Sequence, residues 1–212
     1  MNIVWISQGV HMAWRGDDIV VLNIAADAYT CIVGGAQILH PISGAPDEVG
    51  VHPDFQSELL SAGLISVQRP QTRRRHAPAP TSVSPVAPAP IGAAFRAARL
   101  AFSAGRQFEQ SALEMLIRPE AVQFGKAKAN GPTPAALTSA FLTALPWLPS
   151  PGKCLKRSYA LRRQLARAGT PVDWVFGVRT WPFLAHCWLQ IDDVLLADDL
   201  DRVLGYSPIL TV

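Results

Sequence analysis

Long apolar runs are missing from this chain of 212 residues, and no stretch approaches the roughly 20 that a membrane span requires. The opening, MNIVWISQGVHMAWRGDD, has no basic start leading into an apolar segment, so no signal peptide is expected. Cysteine is scarce: three residues, an odd number, with no CxxC spacing. That excludes a disulfide framework and a zinc ribbon, and it fits reduced thiols in a cytoplasm. Neither a metal nor a cofactor is expected. Charged residues are few, 17% against 49% apolar, a balance that fills a core and does not suit a disordered chain.

Positive charge is nearly absent from the first third. Residues 1–68 hold one arginine against seven acids, residues 69–92 hold four arginines and no acid, and residues 93–212 hold fourteen basic and nine acidic side chains. Ends of opposite charge suggest two modules with different tasks. A DNA-binding first module would need Lys and Arg for phosphate contact. Its acidity opposes that reading, and neither nucleic acid nor a membrane is an expected partner.

What is present is organised around residues 69–92, RPQTRRRHAPAPTSVSPVAPAPIG, which hold six of the eighteen prolines. Such a stretch favours extended, solvated backbone and reads as a linker, with Arg73, Arg74 and Arg75 a solvated basic patch. The chain thus divides into modules 1–68 and 93–212. In the first, residues 10–14, 19–24 and 28–33 are β-like, separated by turn signals at Gly16-Asp17-Asp18 and Ala25-Ala26-Asp27. Helical pattern follows at about 36–40 and at 53–62, where Phe55, Leu59 and Leu60 recur at helical spacing between Pro53 and Gly63. Three strands and then helices predict a small α+β module of winged-helix type. In the second module, residues 93–118, 134–148 and 154–168 predict helices, the last stopped by Gly169 and Pro171. Residues 172–178, 184–191 and 194–197 predict strands.

The chemistry starts in PGKCLKRSYALRRQLARAG. Cys154, Ser158, Leu161, Leu165 and Ala168 follow steps of four, three, four and three, so they share one mostly apolar helix face. Cys154 falls in the first turn, where unpaired N–H groups and the positive end of the helix dipole favour a thiolate. Lys153, Lys156 and Arg157 add positive field. Cysteine is equally a common small filler of cores, so its place in the helix does not by itself make it a nucleophile.

His186, in the strand-like FLAHCWLQIDD, adds the second group. Cysteine, then histidine on a strand, then an acid is the chain order of papain and transglutaminase-like enzymes. In those, the imidazole takes the thiol proton and the third group fixes its tautomer. Cys187 points to the opposite strand face and is expected in the core, as is Cys31 in the third strand. The candidate acids are Asp198, Asp199 and Asp201. A two-residue turn at Asp192-Asp193 sets Asp199 opposite His186, whereas a longer turn or a bulge sets Asp198 there. Spacing leaves both open.

These segments resemble the lasso peptide biosynthesis B proteins, leader peptidases of ribosomally made, threaded peptides. CLKRSYALRRQLARAGTPVDWVFGVR is similar to that family's Cys-Leu-x-Arg-Ser segment, Ala-Leu-Arg-Arg helix and Gly-Val-Arg strand. PFLAHCWLQIDDVLLADD resembles its Pro-Phe-x-x-His-Ala-Trp stretch, with an acid twelve residues past the histidine. The departures are Cys187 for a small residue, Gln190 for Glu, Asp193 for a turn Gly and Ala197 for a polar residue. The resemblance implies a papain/transglutaminase-like fold for residues 93–212, with Cys154 as nucleophile, His186 as base and Asp198 as the acid. GDDIVVLNIAADAYTCIVGG is similar to the two-strand signature of the recognition element these systems share. There the leader adds as a strand beside the third strand and lies against the last helix. By that resemblance Tyr29, Thr30 and Ile32 border the peptide, and Phe55, Leu59 and Leu60 line the groove.

The implied function is a cysteine peptidase that binds the leader of a precursor peptide and cuts at the leader–core junction. The freed core amine would then pass to a separate ATP-dependent, asparagine-synthetase-like lasso cyclase. Two other readings are an amine transferase on the same triad and a non-catalytic peptide-binding protein.

Overall fold

The computed structural model describes residues 1–118 and 131–212. Contacts divide the chain into two units. The first comprises residues 1–76, 178–184 and 207–210, and the second residues 77–177, 185–206 and 211–212. The whole is mixed α+β, the class expected from the sequence.

In the first unit β1 (Asn2–Ile6), β2 (Val10–Arg15), β3 (Asp18–Asn23), β4 (Ala28–Ile32), β5 (Leu39–Ile42) and β6 (Ala45–Val51) precede α1 (Pro53–Ser61) and β7 (Ile65–Ser66). The three expected strands are the antiparallel meander β2-β3-β4. Its first turn joins paired Arg15 and Asp18 through Gly16 at φ +59°, a left-handed backbone that glycine takes without steric cost. A second antiparallel sheet, ordered β5-β6-β1-β7, goes beyond the sequence expectation. Its β6, APDEVGV, has poor strand propensity, which pairing on both sides overrides. Residues 36–40, expected as a helix, instead form a single 3-10 turn (Gly35–Gln37) leading into β5. So short a segment cannot offset the cost of helix nucleation.

The two sheets and α1 share one core, which includes Val4, Ile6, Ile19, Val21, Leu39, Val49 and Leu59. Helix α1 starts at Pro53, whose missing N–H costs nothing there. It stops at Gly63, φ +69°, where the Gly63 N–H donates to the Leu60 carbonyl and the Leu64 N–H to that of Leu59.

Residues 69–92 are not wholly solvated. Arg74, expected in a basic surface patch, is a correction to that reading. Its guanidinium lies 2.6 Å from the Asp47 carboxylate, both side chains being 10% exposed, and donates to the carbonyls of Ser7 and Val10. Buried charges persist where they are paired, as Arg74 is with Asp47, although its Nε has no hydrogen-bond partner among the described residues.

The second part of the chain adds β8 (Ser82–Val83), α2 (Ile91–Glu109), α3 (Leu113–Ile117), α4 (Pro134–Ala144), α5 (Cys154–Arg167), β9 (Asp173–Arg179), β10 (Leu184–Ile191), β11 (Val194–Leu196), α6 (Leu200–Leu204) and β12 (Ser207–Thr211). The sheet order is β12-β9-β10-β11-β8. The edge strand β8, which pairs parallel with β11, comes from the proline-rich stretch. Gln190, fully buried on β10, anchors the same stretch by donating to the carbonyls of Pro78 and Asp192 while its Oε1 accepts the Trp188 indole N–H.

Helix α2 presents Ala94, Ala97, Ala101, Ala104 and Gly105 inward, a stripe small enough for close approach of α4 and α5. Thr133 caps α4 by accepting the Ala136 N–H. Helix α5 ends as its sequence suggests, with Gly169 at φ +77° and the Thr170 N–H on the Leu165 carbonyl. Among the described residues, no helix is long and apolar enough to cross a membrane.

Candidate active site

Cys154 is the first residue of α5. Lys153 before it is extended, and no side chain caps the helix. The N–H groups of the first turn therefore keep their partial positive charge for whatever lies in front of them.

His186 sits on β10, whose pairing with β11 decides which acid it meets. Leu189 faces Leu196, Gln190 faces Leu195 and Ile191 faces Val194, joined by the two residues Asp192 and Asp193. Continued unbroken, that register would set Asp199 opposite His186 and Asp198 opposite Cys187. It breaks at Ala197, a left-handed residue at φ +58°, which swings the chain out of the ladder. Asp198 Oδ2 then meets His186 Nε2 at 2.7 Å. Asp199 instead begins α6, its Oδ1 accepting the Arg202 N–H at 2.9 Å. The turn is the two-residue one whose register favours Asp199, yet the ladder ends at Leu196 and the left-handed Ala197 brings Asp198 to His186 instead. Asp198 is held in turn by the Asp199 N–H on Oδ1, at 2.9 Å, and by Arg202 3.5 Å away.

With β11 ended at Leu196, opposite Leu189, residues 186 and 187 of β10 lie beyond that ladder. There Cys154 borders one cavity with His186 and Cys187, and its thiolate is favoured first by the Cys187 thiol, then by His186 and the Cys187 backbone N–H. These contacts overcome burial and bring the Cys154 thiol down to about 4. Burial pulls His186 down too. Its hydrogen bonds to Asp198 and then Cys154 outweigh that and raise it to about 9. Asp198, despite burial, is held below the usual carboxylate range by its bond to His186. Nε2 is occupied by the acid, so Nδ1 is the nitrogen left for the thiol. Between these limits the pair is thiolate and imidazolium, a nucleophile with a proton donor beside it.

Support comes from both faces of the sheet. The His186 ring lies 6.2 Å from Trp188 and 5.4 Å from Tyr206, a wall that keeps the imidazole from turning. On the other face Trp174, fully buried, donates its indole N–H to Ser158 Oγ at 2.8 Å. Ser158 Oγ in turn donates to the Cys154 carbonyl and lies 3.3 Å from the Cys187 sulfur. Sequence reasoning placed Ser158 on the Cys154 face but missed this role. It expected Cys187 in the core, where it is, without foreseeing its contact with Cys154.

A cavity of about 330 Å³ opens on Cys154, His186 and Asp198. Phe141, Leu142 and Leu145 give it an apolar wall, and Arg157 and Arg202 add positive charge. Among the described residues no group of His, Cys, Asp and Glu is placed to hold a metal ion.

The residues suggested for peptide contact are spread over two faces of the first unit. Ile32, Leu59 and Leu60 pack in or against the shared core. Thr30 pairs with Val21, on the same strand face as Ile32, and is exposed on β4, the edge strand of its sheet among the described residues. Tyr29 pairs with Leu22, on the other face, and its ring lies 5.6 Å from that of Phe183. Phe55 is 38% exposed and stands edge-on to His52.

Residues 93–211 match the family model described as the transglutaminase-like superfamily, which is more than half of the chain. No curated protein and no solved structure matches it.

Proposed function

The chain belongs to the transglutaminase-like superfamily, and from that premise we propose that it is a cysteine endopeptidase cutting the leader from a ribosomally made lasso precursor peptide. The observation that carries the chemistry is the His186 imidazole bonded to Asp198 at 2.7 Å with the Cys154 thiol on its other side. The Cys154 thiolate attacks the carbonyl at the leader–core junction, and the His186 imidazolium gives its proton to the departing amine. Water, deprotonated by His186, then hydrolyses the acyl-enzyme and frees the leader. The first-turn N–H of Cys154 is the natural donor to the oxyanion.

The substrate assignment draws on the resemblance of the Cys154 and His186 segments to lasso B proteins and on the open edge of β4. Among the described residues that strand pairs with β3 alone, so a leader can add beside Tyr29, Thr30 and Ile32 by β-augmentation. Of the α1 residues expected along its groove, Phe55 is exposed and would meet the leader, whereas Leu59 and Leu60 pack in or against the core. Holding the leader on a module of the same chain makes the second encounter effectively intramolecular. The freed core amine would pass to an asparagine-synthetase-like cyclase as partner.

The test is a synthetic precursor spanning leader and early core, incubated with the full chain and followed by mass. A single cut, absent with Cys154→Ala and His186→Ala, supports the reading. An amine adduct in place of the hydrolysed leader would make the enzyme a transferase on the same acyl-enzyme. Failure to cut and to bind the leader would overturn the substrate.

A further inference from the structure

Cys187 takes no part in that chemistry, yet it is the nearest thiol to the nucleophile. It is 3% exposed, and its sulfur lies 3.3 Å from Oγ of Ser158, the same hydroxyl that donates to the Cys154 carbonyl at 2.8 Å. Both cysteines border the same cavity, Cys154 is partly exposed to it, and neither is in a disulfide. A reactive, accessible thiolate with a second thiol lining the same cavity is the arrangement in which oxidation stops at a disulfide.

We propose that a peroxide converts Cys154 and Cys187 into a reversible intramolecular disulfide that shuts off the Cys154 nucleophile. The Cys154 sulfur attacks one peroxide oxygen, the O–O bond breaks, and sulfenic acid forms as the other oxygen leaves as water. The Cys187 sulfur then attacks the sulfenic sulfur. The S–S bond forms, the S–O bond breaks, and a second water carries away the hydroxyl group with the Cys187 proton. Two thiols lose two hydrogens and one peroxide becomes two waters, so no further reductant or oxidant is needed.

The geometry also times the second step. The Cys187 thiol is held protonated first by its hydrogen bond to Cys154, then by burial and by the charge on that sulfur. A neutral sulfenic acid removes that charge. The resolving thiol is thus quiet beside the thiolate and freed to react once Cys154 is oxidised. Cys31, the third cysteine, has its thiol pushed up by burial and then by Asp18, and it serves as the internal control.

The experiment uses the full chain with hydrogen peroxide and no peptide substrate, so its failure is distinct from failure of the peptidase reading. Free thiols are alkylated, intact mass is taken without reductant, and cross-linked peptides are mapped. Of three alkylatable thiols, two should be lost, with a peptide joining residues 154 and 187, and dithiothreitol should restore both. In Cys187→Ser, Cys154 should run on to sulfinic acid that dithiothreitol does not reverse. A wild-type protein in which Cys154 gains two oxygens while Cys187 stays alkylatable would overturn the proposal. So would a cross-link to Cys31 in place of Cys187. Should Cys187→Ser fail to fold, the wild-type mapping decides alone.

Discussion

Replacing Asp198 with Asn keeps the shape of the site and removes one charge, so it isolates what the carboxylate does for His186. The imidazole stands at about 9 instead of the usual 6.5, although its burial pulls the other way. The bond from Asp198 is the largest influence raising it. At about 1.4 kcal/mol per pH unit, the rise is worth roughly 3 kcal/mol in favour of imidazolium, or about two orders of magnitude in population. Without the charge, burial persists and His186 falls back toward, or below, its ordinary value. Cys154 then loses its cation at neutral pH and its own value climbs from about 4.

The sign is fixed for each limb. In the wild type thiolate reactivity appears as pH rises through about 4, and the paired imidazolium is lost as pH rises through about 9. Because the groups are coupled, these limbs belong to the pair. In Asp198→Asn they should move toward each other, and cleavage at neutral pH should fall on the order of 100-fold. The direct assay is the rate of Cys154 alkylation by iodoacetamide against pH, read by peptide mass, which needs no substrate. Asp199→Ala is the control: it removes the α6 cap at a cost of about 1 kcal/mol in stability and should leave the profile in place. An Asp198→Asn profile superimposed on wild type, with Asp199→Ala the one that shifts, would refute the assignment.

Two predictions concern what holds the fold. Arg74→Met leaves the Asp47 carboxylate buried without its partner and should cost about 3–5 kcal/mol, read as a lowered unfolding temperature. Adding Asp47→Leu should recover most of it, whereas an unchanged melting point for the single variant would mean Arg74 is free in solution. Ala197→Gly relieves a left-handed residue worth roughly 1–2 kcal/mol, offset by about 0.5–1 kcal/mol of extra chain entropy in the unfolded state. Denaturant titration should therefore show a gain of up to about 1 kcal/mol, while a loss would mean the methyl group is a needed contact.

Local chemistry in the sequence determined a good part of this protein. Helix stops at Gly63 and Gly169, the turn at Gly16 and the proline starts at Pro53 and Pro134 are short-range effects, set by φ and by missing N–H groups. The first-turn position of Cys154 belongs with them, since a helix face is legible from spacing. The second sheet of the first unit was not legible, because β6 has few strand-forming residues and exists through its two neighbours. Nor was the fate of Arg74, whose guanidinium depends on carbonyls of residues 7 and 10, far back along the chain.

The site itself divides the same way. Residue types and order point to a cysteine, a histidine and an acid, but the choice of Asp198 over Asp199 turns on the backbone of Ala197, an alanine in a conformation alanine does not favour. Local preference argued against that backbone conformation. The packing of α6 and the bond between His186 and Asp198 hold it in place. The contact of Cys187 with Cys154 likewise comes from a helix start meeting an open strand edge, which only tertiary structure brings together.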